Sequence, residues 1–170
     1  MKKLTLWIVV LAAAVTAAGC GYKLSGGGYI AETVTRVAVD VFENNSSESR
    51  AGITFTNELI REITAKSDTQ IVDQGKSTRL ITGTVKSITF STLSRSSTED
   101  VTERRVTAVV DVKLTGPDGE ILWSVKDFSA KESYTTSDDT VDDEANKSDA
   151  IDTIAERVAE QLVSRMLSNF

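Results

Sequence analysis

The sequence contains no histidine, a single cysteine and a single proline among 170 residues. Without histidine, a Ser/His/Asp or Cys/His nucleophilic site, a histidine metal ligand and the usual general base near neutral pH are all excluded. The lone thiol of Cys20 has no cysteine partner for an internal disulfide. No two carboxylates are placed by the sequence as an acid/base couple. We therefore expect no metal, no cofactor and no enzymatic activity.

Basic charge is also scarce. The chain has 19 Lys and Arg against 25 Asp and Glu, a formal net charge of −6. A surface that binds nucleic acid presents a basic face, so we expect no nucleic-acid partner. The length suits one ordinary domain with a single hydrophobic core.

The amino terminus has the pattern of a secretory signal peptide. Lys2 and Lys3 precede an apolar run of about 15 residues, 4–18, and small residues lead to Cys20. The run is short for a membrane span, which needs about 20 apolar residues. We predict a lipoprotein signal peptide over residues 1–19.

The position of Cys20 directly after Ala17, Ala18 and Gly19 resembles a bacterial lipobox. In that interpretation Cys20 becomes the lipidated first residue, and several acyl chains hold the protein stably on a membrane. Gly21 stands where an aspartate would indicate retention in the inner membrane, so the outer membrane is the expected location. The alternative is an ordinary signal peptide followed by an unrelated cysteine.

The remainder divides into a glycine-rich tether over 20–33 and a single α+β domain over 34–170. Hydrophobic periodicity predicts a strand in which Val37, Val39 and Val41 alternate with more polar residues, and a helix over 49–65 with Ile53 among its apolar positions. Further elements are expected in this order: a short strand at 70–73, strands at 80–93, 105–115 and 120–134, and a helix at 148–167.

Two details refine this pattern. The apolar alternation of the strand over 80–93 changes phase, which predicts a bulge near Lys86. The segment Gly116–Gly119, GPDG, predicts a hairpin turn. Together the elements predict a two-layer sandwich, in which two helices pack on one face of a roughly four-stranded, mostly antiparallel sheet.

An acidic run lies in the polar stretch 135–149, at Asp138, Asp139, Asp142, Asp143 and Glu144. Carboxylates suit a hard cation such as calcium, but the spacing lacks the EF-hand pattern and its glycine. We therefore favour a mobile, solvated loop over a cation site.

Basic residues gather near the base of the hairpin between 93 and 105, at Arg95, Arg104 and Arg105. Arginine suits a bidentate grip on phosphate or carboxylate. Acidic residues at 99, 100 and 103 offer cross-strand charge pairing as the alternative, and both interpretations stay open. Arg104 and Arg105 are neighbours in a strand, so they are expected to point to opposite faces.

The segment Cys20–Gly26, CGYKLSG, resembles the opening of the LptE family of lipopolysaccharide-assembly lipoproteins. The order of a Val-x-Val strand, a helix containing TNELIREI at Thr56–Ile63, long strands and a final amphipathic helix agrees with that family. The resemblance implies a non-enzymatic outer-membrane lipoprotein, lipid-anchored on the periplasmic face, that serves as plug and assembly partner of the LptD β-barrel.

The same resemblance implies that exposed basic residues contact lipopolysaccharide, and Arg95, Arg104 and Arg105 are the candidates. Lipopolysaccharide is anionic, so its binding to this acidic chain must be local. Two other classes of function remain as alternatives: an envelope lipoprotein that activates a periplasmic enzyme, and a hydrolase of unusual chemistry.

Overall fold

The structure, a computed structural model, describes residues 28–31, 34–95 and 101–168, with the backbone alone for Arg95 and Val101. The predicted signal peptide, Cys20 and most of the predicted tether lie outside these residues.

Six strands and two α-helices make up the described part. In chain order they are β1 (Arg36–Val39), β2 (Glu43–Asn44), α1 (Ala51–Lys66), β3 (Gln70–Ile71), β4 (Leu80–Arg95), β5 (Val101–Thr115), β6 (Ile121–Thr135) and α2 (Thr140–Ser168). A short 3₁₀ turn, Gln74–Lys76, lies between β3 and β4.

The strands form one mixed sheet in the order β3-β1-β4-β5-β6. The long strands β4, β5 and β6 are antiparallel neighbours, whereas the short strands β1 and β2 run parallel to β4, and β3 runs parallel to β1. The predicted α+β architecture is confirmed, β3 lies within the short strand expected at 70–73, and β2 is a strand that the sequence did not predict.

The core lies on one face of this sheet. The predicted alternation of β5 is confirmed, because every second side chain is buried: Val106, Ala108, Val110, Val112 and Leu114. Both helices cover this face with apolar stripes that include Phe55 and Leu59 of α1 and Ile154 and Leu162 of α2. The core also includes Ile30 and Ala31, which precede β1.

Two bulges keep the neighbouring strands in phase with β5. On β4 the register shifts between Val85 and Ser87, where the bulge was predicted. On β6 a second shift opposite Asp111 separates Val125 from Phe128. Each bulge adds a residue, so the apolar residues on both sides of it face the core.

A charged cluster links the two bulges across β5. Asp127 has a φ of 53°, a left-handed conformation that aspartate tolerates better than most residues. Its backbone N–H donates to Oδ1 of Asp111 at 2.7 Å. Lys86 Nζ lies 2.5 Å from Oδ1 of Asp127 and 3.9 Å from Oδ2 of Asp111. The hydrogen bond to Asp127 raises the pKa of Lys86, and the charge of Asp111 adds to that rise.

The two helices lie side by side and run parallel. Near their beginnings, Lys147 of α2 lies 3.4 Å from the Glu48 carboxylate, just before α1. Farther along, Arg61 of α1 lies 2.9 Å from Glu156 of α2. Each pair therefore joins equivalent levels of the two helices.

Phe42 fixes the position of α1 against the sheet. Its ring lies over Gly83 of β4 so closely that a methyl group there would overlap it. Its backbone N–H donates to Thr56 Oγ1 at 2.9 Å, and Thr56 in turn donates to the carbonyl of Gly52 at 2.7 Å. A buried threonine hydroxyl is therefore satisfied as both acceptor and donor.

The expectation of a loop over 135–149 is wrong for most of its length, because α2 begins at Thr140. Asp139 caps the helix: its Oδ1 accepts from the backbone N–H of Val141 at 2.8 Å and of Asp142 at 3.3 Å. Asp142 and Asp143 lie in the first turn, where negative charge favours the positive end of the helix dipole.

Two apolar residues that the periodicity assigned to buried faces are exposed. β1 ends at Val39, and Val41 beyond it is 66% exposed. Ile53, in the first turn of α1, is 58% exposed. Both lie where an element ends or begins, so the periodic pattern there no longer follows the core.

The predicted hairpin turn joins β5 to β6. The N–H of Gly116 donates to the carbonyl of Glu120 at 2.9 Å, and the N–H of Gly119 donates to the carbonyl of Gly116 at 3.1 Å. Gly119 has a φ of 77°, which a side chain disfavours.

We expect Gly119→Val to destabilise the domain by about 1–2 kcal/mol, because valine must adopt a left-handed backbone. This corresponds to a fall in Tm of about 2–4 °C for each kcal/mol in a chain of this size. Thermal unfolding followed by circular dichroism measures it. Gly75→Val is the control, since that glycine has open space around it and is not among the residues with positive φ. Equal Tm values for Gly119→Val and the unsubstituted protein would contradict the turn assignment.

Candidate functional site

The three predicted basic residues lie near one end of the β4–β5 hairpin. Arg95 is the last residue of β4, and its side chain lies outside the described part. Arg104 and Arg105 lie near the start of β5, opposite Thr92 and Ser91 of β4 respectively. The backbone therefore brings all three to the same end of the sheet, far from the turn at 116–119.

Arg105 lies on the face of the sheet that the helices leave uncovered. In register it stands between Ser91 of β4 and Ser133 of β6, and all three residues are exposed. A guanidinium flanked by two hydroxyl-bearing residues can bind an anionic or polyhydroxylated group.

Arg104 lies on the opposite face, the side of the helices. In register it stands between Thr92 of β4 and Tyr134 of β6, and it is half-buried. The register agrees with the prediction that Arg104 and Arg105 point to opposite faces of the sheet. One ligand therefore cannot contact both in the same way.

Tyr134 is a polar residue of this end that the sequence did not single out. Its side chain is 6% exposed, and its hydroxyl has no hydrogen-bond partner among the described residues. A buried unpaired hydroxyl costs about 1–3 kcal/mol, so a partner for it would be stabilising. The only signal in the sequence is a tyrosine at an apolar position of the strand.

The ion pairs near this end involve other basic residues. Arg157 Nη2 of α2 lies 2.5 Å from the carboxylate of Glu132 in β6. Lys147 lies 2.9 Å from Glu144 as well as close to Glu48. The hydrogen bond to Glu144 raises the pKa of Lys147, with a further rise from the charge of Glu48.

In contrast, neither Arg104 nor Arg105 takes part in an ion pair within the described ranges. The eight ion pairs found there involve other basic residues, and Glu103 is not among the acids in them. The acidic residues at 99 and 100 lie outside the described residues. Both guanidinium groups therefore keep hydrogen-bond capacity that a ligand can use.

Three acidic residues at the start of α2 form hydrogen bonds or an ion pair with residues in or next to this helix. Asp139 caps the helix, the Asp143 carboxylate accepts from the N–H of Ser137 at 3.2 Å, and Glu144 pairs with Lys147. Over the residues that the structure describes, no three His, Cys, Asp or Glu side chains are grouped to hold a metal ion.

A cleft of about 460 Å³ opens near the other end of the sheet, toward the 116–119 turn. Its lining carries both signs of charge, with Asp40, Glu43 and Asp111 among the acids and Lys113 and Lys126 among the bases. The cleft therefore has no strong preference for an anion or a cation.

Neither helix of the described part is long and apolar enough to cross a membrane. The longer one, α2, has 29 residues but carries charged residues along its whole length.

A family model described as "LptE: Lipopolysaccharide-assembly" matches residues 34–166. No curated protein matches the chain in sequence.

Several solved structures share the fold. An uncharacterized lipoprotein B from Nitrosomonas europaea is 18% identical, with a TM-score of 0.61 over 88% of this chain and 92% of its own. The rare lipoprotein B from Shewanella oneidensis is 18% identical, with a TM-score of 0.51 over 75% of this chain and 94% of its own. A minor lipoprotein from Acinetobacter baumannii is 14% identical, with a TM-score of 0.52 over 80% of this chain and 94% of its own.

Proposed function

The chain belongs to the LptE family of lipopolysaccharide-assembly proteins, and we propose that it acts as the plug and assembly partner of an LptD-type outer-membrane β-barrel. The observation that carries the proposal is the family match, which spans β1 to the end of the core in α2. In this role the protein binds and positions other molecules and catalyses no reaction.

A lipid anchor at Cys20 is part of the proposal. The first described residue, Gly28, lies near the junction of α1 and β3, where its carbonyl accepts from the N–H of Asp68 at 3.0 Å. This is the end of the sheet at which β4 begins, since β1 pairs with Leu80. The described chain therefore begins at that end of the sheet, eight residues after the proposed lipidation site, Cys20.

The proposed lipopolysaccharide contacts are at the opposite end. β4 runs for 16 residues, which at about 3.3 Å per residue carries the hairpin roughly 50 Å from its start. Arg95, Arg104 and Arg105 are thus far from the end of the sheet at which the described chain begins. In the proposed role, the lipid-anchored chain presents these basic residues to the anionic lipopolysaccharide as it leaves the periplasmic side.

Binding at this end is local, because the chain as a whole carries a formal net charge of −6. Among the described residues, Arg104 and Arg105 form no ion pair and the Tyr134 hydroxyl has no hydrogen-bond partner. These groups suit the phosphate and sugar groups of lipopolysaccharide.

The proposed partnership predicts that the chain, carrying a carboxy-terminal tag and extracted from outer membrane in detergent, recovers a large β-barrel in near-equal amount. Mass spectrometry and densitometry of the eluate measure this. Recovery of a soluble periplasmic enzyme without a barrel would contradict the proposal and favour the enzyme-activator alternative.

The proposed lipopolysaccharide contacts predict that Arg104→Glu and Arg105→Glu, tested singly, each weaken lipopolysaccharide binding by about tenfold. Each removes a charge-assisted hydrogen bond and introduces repulsion. Surface plasmon resonance with immobilised lipopolysaccharide measures binding, and circular dichroism checks folding. Arg36→Glu is the matched control, an exposed arginine at the other end of the sheet. Unchanged binding by both hairpin variants would remove these residues from the proposed site.

A further inference from the structure

The outer side of β4 is only half covered by other strands. β1 pairs with Leu80 and Ile81, and β2 pairs with Thr84 and Val85. Beyond Val85, β4 pairs with β5 on its inner side, and no other described strand lies beside it. We call the outer side of residues 87–94 the open β4 edge.

Apart from the register shift between Thr92 and Ser94, this edge offers none of the usual protection. Residues 87–94 read SITFSTLS, with no charged residue, no proline and no glycine. Serine, threonine and β-branched or aromatic residues fit a strand well. Natural edge strands are normally short, charged or covered, because their unpaired N–H and C=O groups attract other strands.

The other long edge of the sheet, β6, is protected. Arg157 Nη1 of α2 donates to the carbonyl of Lys131 at 2.7 Å, and Asn146 Nδ2 donates to the carbonyl of Thr135 at 3.0 Å. β6 also carries a bulge with Lys126 and Asp127, which distorts the edge. The same fold thus blocks one edge with side chains and leaves the other accessible.

We propose that the open β4 edge is a β-augmentation site, which binds an extended segment of a partner protein as an added strand. The unsatisfied groups are main-chain donors and acceptors along about eight residues, and an extended polypeptide is the ligand that satisfies such a row. Free fatty chains and sugars lack that repeating pattern.

The side chains of the edge define the chemistry of the segment. On the helix side, Ile88 is buried and Phe90 is half-buried, with the Lys147 ammonium 5.6 Å from the ring centroid. On the uncovered face, Thr89 and Ser91 are exposed. A fitting segment is uncharged, with apolar residues toward Phe90 and hydroxyl or amide residues on the other face.

A second copy of this chain fits less well than a different protein. Symmetric antiparallel pairing centred between Phe90 and Ser91 would set Lys86 of each copy opposite Arg95 of the other. Like charges opposite one another destabilise a strand pair. Two copies also carry the same formal charge of −6, which opposes their association.

The inference rests on the proposed function for the identity of the partner, an extended segment of the outer-membrane β-barrel. The test compares the full-length chain with Thr89→Lys/Ser91→Lys, in which charge blocks strand addition. The matched control is Ser124→Lys/Ser129→Lys, two exposed serines of β6 on the same uncovered face. All three are co-expressed with the barrel and purified through the tag.

We expect the edge variant to lose barrel recovery by at least tenfold while the control recovers as much as the unsubstituted chain. Thermal unfolding checks that both variants fold. Equal recovery by the edge variant and the control would overturn the inference and leave the proposed function standing.

A photocrosslinking amino acid at Thr89, with one at Ser129 as control, identifies the neighbour of the edge independently of recovery. We expect an adduct with the barrel from position 89 alone. An adduct of twice the chain mass would assign the edge to a second copy and overturn the inference. An adduct with another protein, abolished by Ser91→Lys, would sustain the edge site and contradict the barrel partnership.

Discussion

The phase of three long strands is the constraint on which the rest of the structure depends. β5 keeps its apolar residues at even positions throughout, whereas β4 and β6 change from odd to even positions along their length. Without the bulges at Lys86 and Asp127, half the apolar residues of β4 and β6 would face water. The cluster of Lys86, Asp111 and Asp127 joins the two bulges across β5: the Asp127 N–H donates to Asp111, and the Lys86 ammonium donates to Asp127.

This phasing gives a sheet with one covered face, and the functional surfaces follow from that asymmetry. Two parallel helices bury the apolar face, and the other face is left with serine, threonine and scattered charge. Arg104 and Arg105, adjacent in sequence, are separated to the two sides of the hairpin. The domain thereby has three different surfaces: a basic end, a hydroxyl-rich face and, among the described strands, an unpaired strand edge.

Strong periodicity in the sequence predicted the long elements well. The alternation of β5, the bulge near Lys86 and the turn before Gly119 each depend on local residues, and all are confirmed. The second bulge was missed, although the step from Val125 to Phe128 carries the same change of phase. The start of α2 was missed because acidic residues suggested a loop, whereas Asp139 acts as a helix cap.

The sequence alone did not predict which distant segments pair in the sheet. Strand β2 has two residues, too few for a periodic pattern. The strand at β3 was expected, but its parallel pairing with β1 joins segments that α1 separates in the chain. The orphan hydroxyl of Tyr134 and the open β4 edge likewise emerge only when strand neighbours are known. The opposite directions of Arg104 and Arg105 followed from strand geometry alone.

The most direct test of the central claim, that this one-sided sheet works as a docking module for an outer-membrane barrel, is amide hydrogen exchange of the chain alone and in complex. We expect the amides within 87–94 that point away from β5 to exchange quickly in the free chain and at least tenfold more slowly in the complex. Amides of β6 near Lys131, beside the carbonyls already bonded by α2, should change little. Equal exchange in 87–94 in both states would contradict the claim.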